Sequence, residues 1–149
     1  MDIRDARLSD FPAIEALVRG GWRPDHATGS DLYCATETVQ DKLDALREEF
    51  EGIGSRFLVA YEGPKAVGVV LSRENLGRAW IETLVVAPGP GARGVAAELL
   101  SAVAPADADA FFEVNRRNEA LLGLLGELGF AECGETVTLR RSARGEPAA

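Results

Sequence analysis

One stretch of the sequence decides the fold: residues 84–100, which read LVVAPGPGARGVAAELL. An apolar run leads into a turn rich in proline and glycine, and apolar residues then recur at helical spacing, so the pattern predicts a strand, a turn and a helix. The first amides of a helix have no partner within it, and glycines let the backbone approach a ligand closely. The stretch therefore predicts an anion site, suited to a phosphate, at the start of this helix.

The rest of the chain surrounds this stretch with short strands and amphipathic helices, in the order β-α-α-β-β-β-α-β-α-β-β. Tight turns join the three middle strands, which are therefore antiparallel, whereas a helix joins the strands at 79–86 and 110–114, which are parallel if adjacent. The pattern predicts an α/β (α+β) fold with a mixed, mostly antiparallel central sheet and helices on both faces. The predicted strands are residues 1–7, 57–61, 66–71, 79–86, 110–114, 130–133 and 136–140, and the predicted helices begin near Ser9, Thr38, Gly94 and Asn118.

Length and composition are typical of one globular domain, with 149 residues, 46% hydrophobic and 27% charged. We expect the domain to span residues 1–141 and the polar residues 142–149 to form a disordered tail. The net charge of −8 argues against partners such as nucleic acid or an anionic membrane surface. No apolar run approaches the roughly 20 residues that cross a bilayer, and no leader pattern opens the chain, so we expect a cytoplasmic protein. Cys34 and Cys133 have the spacing of neither a metal site nor a disulfide framework.

Residues 89–94 share features with two known types of phosphate-binding loop. A P-loop needs a lysine and a hydroxyl residue after its last glycine, whereas Val95 and Ala96 follow Gly94, so a P-loop is excluded. Residues 89–94 (GPGARG) do fit the GxGxxG pattern of dinucleotide-binding folds, and Glu113 follows at about the distance of a ribose-binding acid. That fold repeats parallel units and places its loop after the first strand, whereas antiparallel hairpins precede the loop here. The dinucleotide site stays open as the less favoured alternative.

A third interpretation rests on a resemblance to a family. Residues 91–96 (GARGVA) resemble the pyrophosphate loop of GNAT-type N-acetyltransferases, written Arg/Gln-x-x-Gly-x-Gly/Ala. The sequence Val86-Ala87-Pro88 matches the family's Val-x-Pro, and Asn118, Leu125 and Gly129-Phe130 occupy the positions of its later segment. The element order also agrees, so the resemblance extends nearly to Arg140 and implies the GNAT-like acyl-CoA N-acyltransferase fold.

The resemblance implies a site for acetyl-CoA and no metal. In the family, two parallel strands diverge and hold the pantetheine arm between them, while the loop holds the diphosphate. The Val86 N–H would face the thioester oxygen. For Asn118 the alternative is a role as helix cap alone. The resemblance thus assigns cofactor binding to Leu84, Val85, Val86, Gly91, Ala92, Arg93, Gly94, Val95, Ala96 and Asn118.

The resemblance also implies a catalytic role for Glu82, because several family members use an acid at this position as a general base toward the incoming amine. By the period of two in a strand, Glu82 shares a face with Trp80, Leu84 and Val86. The alternative is a carboxylate near a strand end that contacts solvent or pairs with an arginine. The chain departs from the family at Gly91, where Arg or Gln is usual, and at Leu125, where many members place a tyrosine that protonates the departing thiolate.

These residues together imply an acetyl-CoA-dependent N-acetyltransferase, which transfers an acetyl group to an amine of a small molecule or peptide by direct attack in a ternary complex. The departures keep a second hypothesis open, a catalytically weak GNAT-like acyl-CoA-binding sensor or interaction module. A homodimer is compatible with both. The predicted acceptor side, where acids would suit a cationic amine and Tyr33 is a candidate proton donor, comprises Trp22, Asp25, His26, Asp31 and Tyr33.

Overall fold

The computed structural model describes residues 1–33, 38–52, 54–104 and 106–134, together with positions 137, 139 and 141. Its strands are β1 (Asp2–Asp5), β2 (Ser55–Glu62), β3 (Lys65–Asn75), β4 (Arg78–Val86) and β5 (Ala110–Phe112). Its helices are α1 (Phe11–Gly21), α2 (Val39–Glu51), α3 (Ala92–Val103) and α4 (Glu119–Glu127), and 3₁₀ turns occupy Leu8–Asp10, Pro24–His26 and Gly29–Leu32. None of the described helices has both the length and the apolar character needed to cross a bilayer.

The five strands form one sheet in the order β1-β2-β3-β4-β5. Neighbouring strands are antiparallel except β4 and β5, which are parallel and are joined through α3. Side chains of α1 and α2 pack on one face of the sheet and form the first core. Side chains of α3 and α4 pack on the other face and form the second core. The prediction of a mixed, mostly antiparallel sheet with helices on both faces is confirmed.

Two of the four helices, α2 and α4, begin at a polar side chain that caps a free amide, whereas α1 and α3 have no side-chain cap. The Thr38 hydroxyl accepts a hydrogen bond from the Asp41 amide at 3.1 Å, and the Asp41 carboxylate accepts one from the Thr38 amide at 3.0 Å, which is a capping box ahead of α2. The Asn118 side chain accepts a hydrogen bond from the Leu121 amide at 3.4 Å and caps α4. These caps fix where α2 and α4 start relative to the sheet.

A β-bulge interrupts β4 at Glu82. Leu71 of β3 lies opposite Thr83, but the next β3 residue, Ser72, lies opposite Ile81, so Glu82 is the extra residue of β4. The extra residue shifts the alternation of side chains between the two faces of the sheet by one position. Ile81 and Leu84, three positions apart, therefore both pack in the second core. The prediction that Glu82 shares a face with Trp80, Leu84 and Val86 is therefore wrong. Strict alternation ends at the bulge, and Leu84 and Val86 lie with the second core whereas Val85 lies in the first.

The predicted closing strand at residues 130–133 is also wrong, because residues 130–134 form no strand. Instead, Gly129 adopts a left-handed φ of 92°, and the Phe130 amide donates to the Leu125 carbonyl at 2.9 Å, which ends α4 in a Schellman motif. Phe130 packs against the second core as the hydrophobic contact of that motif. Most of the predicted strand at 136–140, the predicted tail at 142–149 and Cys34 lie outside the described residues.

Candidate active site

The parallel strands β4 and β5 separate after a short pairing. Their register runs from Ala79 opposite Ala110 to Ile81 opposite Phe112, where the described pairing ends. Directly after β4, the Ala87 amide donates to the Val67 carbonyl of β3 at 2.9 Å. Because main-chain groups alternate along a strand, those of Leu84 and Val86 face away from β3, toward the side of β5. Within the described chain neither of these two amides donates a hydrogen bond, so this edge of β4 is open to an added strand.

A short piece of the loop after α1 lies between the diverging strands. We call residues 28–31 the bridging segment. The Gly29 amide donates to the Glu113 carbonyl beyond β5 at 2.9 Å, and the Thr28 hydroxyl donates to the Glu82 carbonyl at 2.7 Å. Thr28 also forms an isolated β-bridge with Val114. The bridging segment therefore holds the bulge of β4 and the chain after β5 at one fixed separation.

Gly29 is at the closest approach of the bridging segment to Glu82. Its φ is +55°, and a Cβ atom there would lie 2.6 Å from Glu82 Oε2 and 2.9 Å from Glu82 Cα. Both the backbone conformation and the contact exclude a larger side chain without displacement of the bulge. Glycine at this position thus sets how closely the loop packs on Glu82.

Glu82 is partly buried, and the Ser30 amide donates to its Oε2 at 2.8 Å. None of the arginines in the described ranges forms an ion pair with it, so the alternative of an arginine-paired carboxylate has no support. A carboxylate held by a single main-chain donor at a strand opening can accept a proton from a group bound beside it. The role of Glu82 as a base stays a prediction, now with a defined geometry.

The largest feature that the sequence analysis missed is Lys42 of α2, which is 2% exposed. Its ammonium forms an ion pair with the Asp31 carboxylate and donates to the Thr83 hydroxyl at 2.6 Å. Burial lowers the pKa of Lys42, although the negative charges of Asp31, Glu82 and Glu49 oppose that shift. The sequence contained one signal: Lys42 lies three residues after Val39 and four before Leu46, and so falls on the apolar face of α2.

This arrangement corrects the predicted acceptor side in two places. The Asp31 side chain is 7% exposed and neutralised by Lys42, so it is not an acid offered to a cationic acceptor. Trp22 is 2% exposed and belongs to the first core, with the Lys42 nitrogen 5.9 Å from its ring centroid. By contrast, Asp25, His26 and Tyr33 are exposed, and they stay candidates for contact with an acceptor.

At the other end of β4, the turn into α3 presents main-chain donors. The Ala92 amide donates to the Gly89 carbonyl, and the Val95 amide to the Gly91 carbonyl, both at 3.2 Å. Between them, the amides of Arg93 and Gly94 donate to no group of the described chain. Unpartnered amides at a helix start attract anions. The side chains of Val95 and Ala96 are buried and the Val95 amide already donates to Gly91, so the free donors of this turn are the amides of Arg93 and Gly94.

The remaining predicted site residues have structural contacts of their own. Arg93 forms an ion pair with Glu127 of α4, and both side chains are more than half exposed. Leu125, at the position of the family's tyrosine, is 4% exposed and packs in the second core. Asn118 caps α4, as described above, which accounts for its presence without a ligand.

The sequence model of the acetyltransferase (GNAT) family matches residues 24–130 of the chain. The chain belongs to the GNAT acetyltransferase family. The match includes the bridging segment, the bulge, the turn into α3 and all of α4. No curated protein sequence matches the chain.

Solved structures show the same fold at low sequence identity. An aminoglycoside 6'-N-acetyltransferase, AAC(6')-IG from Acinetobacter haemolyticus, superimposes with a TM-score of 0.71 at 16% identity, over 96% of this chain and 99% of that one. AAC(6')-Iy in complex with the bisubstrate analogue CoA-S-monomethyl-acetylneamine gives 0.66 at 18% identity, over 95% and 98%. The ribosomal-protein-S18-alanine N-acetyltransferase from Escherichia coli gives 0.65 at 18% identity, over 89% and 79%. The likeness to all three is one of fold.

Proposed function

We propose that this GNAT protein binds acetyl-CoA and transfers the acetyl group to an amine of a small molecule or a peptide. One observation carries the proposal: the open edge of β4 at Leu84–Val86 runs directly into the turn with free amides at Arg93 and Gly94. A pantetheine arm has amide groups that suit the edge, and a diphosphate suits the turn. The bisubstrate complex of AAC(6')-Iy is consistent with a cofactor of this kind.

The residues present fit this cofactor mainly through their backbone. The diphosphate would lie against residues 91–96, where the partial positive charge of the α3 terminus adds to the free amides. Gly91 and Gly94 have no atoms within 4 Å of a Cβ position, so the turn has open space on its outer side. The pantetheine arm would pair with Leu84, Val85 and Val86, and Asn118 would contact it from the start of α4. Acetyl-CoA would supply the thioester that reacts.

The proposed chemistry uses two groups of β4, the Glu82 side chain and the Val86 amide. Glu82 accepts a proton from the bound ammonium, which leaves a neutral amine able to attack the thioester carbonyl. The Val86 N–H stabilises the negative charge that develops on the carbonyl oxygen. A C–N bond forms, the C–S bond breaks, and the amine's second proton passes to solvent. Leu125 carries no hydroxyl, so the proton for the departing thiolate would come from water or from Tyr33.

The acceptor is proposed as a primary amine of a small molecule or peptide. The structural neighbours are named for acceptors of both kinds, aminoglycosides and a ribosomal-protein alanine. The exposed residues Asp25, His26 and Tyr33 would form the outer acceptor contacts. The cytoplasmic location, the homodimer and the domain boundary at residue 141 stay predictions.

One observation favours a second candidate function, an acyl-CoA-binding module with little turnover. Leu125 is buried in the second core where many family members carry their acid. A module of this kind would keep the cofactor site and lack efficient release of thiol.

Two measurements test these candidates. Calorimetric titration with acetyl-CoA and, separately, with NAD should give binding of the former alone; preference for NAD, or no heat with millimolar acetyl-CoA, refutes the cofactor. Thiol release is then followed with a panel of amines. Release above the water background supports the transferase, whereas tight binding without amine-dependent release supports the module.

A further inference from the structure

Lys42 of α2 and Asp31 of the bridging segment form an ion pair in the interior of the protein. Both side chains are almost fully enclosed, at 2% and 7% exposure. Taking two charges out of water is unfavourable, and buried ion pairs are often replaced by apolar residues without loss of stability. Stability alone therefore does not account for an ion pair in so enclosed a place.

The contacts of Lys42 show which role the pair can fill. On one side the ammonium donates to the hydroxyl of Thr83, which is the neighbour of Glu82 in β4. On the other side it pairs with Asp31, which is the neighbour of Ser30, the main-chain donor to Glu82. Lys42 therefore joins the strand that carries the Glu82 carboxylate to the loop that holds it.

We propose that Lys42 is a positioning residue, which fixes the bridging segment on the bulge of β4 and so orients the Glu82 carboxylate toward the acceptor amine. This inference rests on the proposed function, since it assigns Lys42 a part in the same reaction. Lys42 does not touch the acceptor or acetyl-CoA, because its nitrogen is enclosed by Asp31, Thr83 and the ring of Trp22.

The charges around the Lys42 ammonium come from three elements of the fold. They are Asp31 from the loop, Glu82 from β4 and Glu49 from α2 itself. Asp31 is the one in direct contact, so the ion pair ties the loop to α2.

The test uses Lys42→Met, the double variant Asp31→Asn/Lys42→Met, and Lys65→Met as the matched control. Lys65 is the only other lysine of the chain and is exposed at the start of β3. For each protein we measure kcat and KM for the best amine, the dissociation constant of acetyl-CoA by calorimetry, and the melting temperature. The double variant removes both charges, so a loss of folding in Lys42→Met through the missing ammonium beside Asp31 cannot hide the result.

We expect the double variant to melt close to the wild type and bind acetyl-CoA within about twofold, yet lose at least about tenfold in kcat/KM, since small displacements of reacting groups have effects up to about a hundredfold. The loss should lie in kcat and not in KM for the amine, and Lys65→Met should match the wild type throughout. A double variant with wild-type kcat/KM shows that the pair is structural only, and overturns the inference. If the wild type releases no thiol with any amine, the proposed function fails and the role of Lys42 fails with it.

Discussion

The two ends of the cleft along β4 are built from different parts of the chain. At the α3 end, the candidate cofactor contacts are main-chain amides, those of Leu84 and Val86 in β4 and those of Arg93 and Gly94 in the turn. At the bulge end, the candidate chemistry depends on the side chains of Glu82, Lys42 and Asp31, where the bridging segment packs on β4.

The contrast has a general consequence for substitution. A site made of main-chain donors keeps them when side chains change, and loses them only when the backbone is altered. A site made of buried, charged side chains is sensitive to single atoms, because each charge relies on a specific partner. The cofactor end should therefore tolerate side-chain changes that the bulge end does not.

The largest effect is expected at the bulge end, for Glu82→Gln. The amide keeps the shape of the carboxylate but cannot accept a proton from an ammonium, so kcat/KM should fall by about 10²–10⁴-fold, the range of general base catalysis. The affinity for acetyl-CoA should stay within about twofold, because the cofactor is proposed to bind the backbone of the other end. Thiol-release kinetics and calorimetry measure the two quantities. Equal loss of both would make Glu82 a structural residue.

A backbone change should affect the cofactor end strongly where a side-chain change does not. Val86→Pro deletes an N–H that faces away from β3, so no hydrogen bond of the β3–β4 ladder is lost. Loss of one such oxyanion donor lowers kcat by about 10²–10³-fold. Val86→Ala, which keeps the amide, is the matched control and should stay within about threefold; circular dichroism checks that both variants fold. If the two variants are equally impaired, the Val86 amide has no part in the reaction.

Gly29→Ala tests how closely the bridging segment must approach Glu82. The added Cβ would overlap the Glu82 carboxylate and backbone and would require an unfavourable φ, so the bulge must shift. We expect kcat/KM to fall by about ten- to a hundredfold, as for displacements of about 1 Å, with little change in acetyl-CoA affinity. Gly20→Ala is the control, because a Cβ there meets no atom within 4 Å. Full activity in Gly29→Ala would separate the bridging segment from catalysis.

Much of the fold was predictable from the sequence, because its signals are local. Proline and glycine after residues 84–87, caps at Thr38 and Asn118, and tight turns around the three middle strands fixed the element order. The bulge was not predictable, since no glycine or other local signal marks Glu82 as an extra residue. It is set by packing, with Ile81 and Leu84, three positions apart, both in the second core.

The candidate site was predictable at its main-chain end and only partly at its side-chain end. The composition of residues 91–96 alone predicts the start of α3, and Glu82 is recognisable as an acidic residue in an apolar strand. The partnership of Lys42 with Asp31 joins residues that lie eleven positions apart on a loop and a helix. No periodic pattern connects an acidic residue of a loop to a lysine of a helix. The sequence therefore places Asp31 among the acceptor residues and predicts no role for Lys42.

The smallest effect is expected for Arg93→Glu at the cofactor end. Arg93 is exposed and already paired with Glu127, and the free amide of residue 93 survives the substitution. Charge at a helix start contributes about 0.3–1 kcal/mol, so reversal should weaken acetyl-CoA binding by roughly three- to tenfold, more at low salt than at high salt. Arg78→Glu, at the exposed far end of β4, is the charge-matched control and should leave affinity unchanged. A hundredfold loss in Arg93→Glu alone would show that a side chain, and not the backbone, holds the diphosphate; identical affinities for both variants would place Arg93 outside the cofactor site.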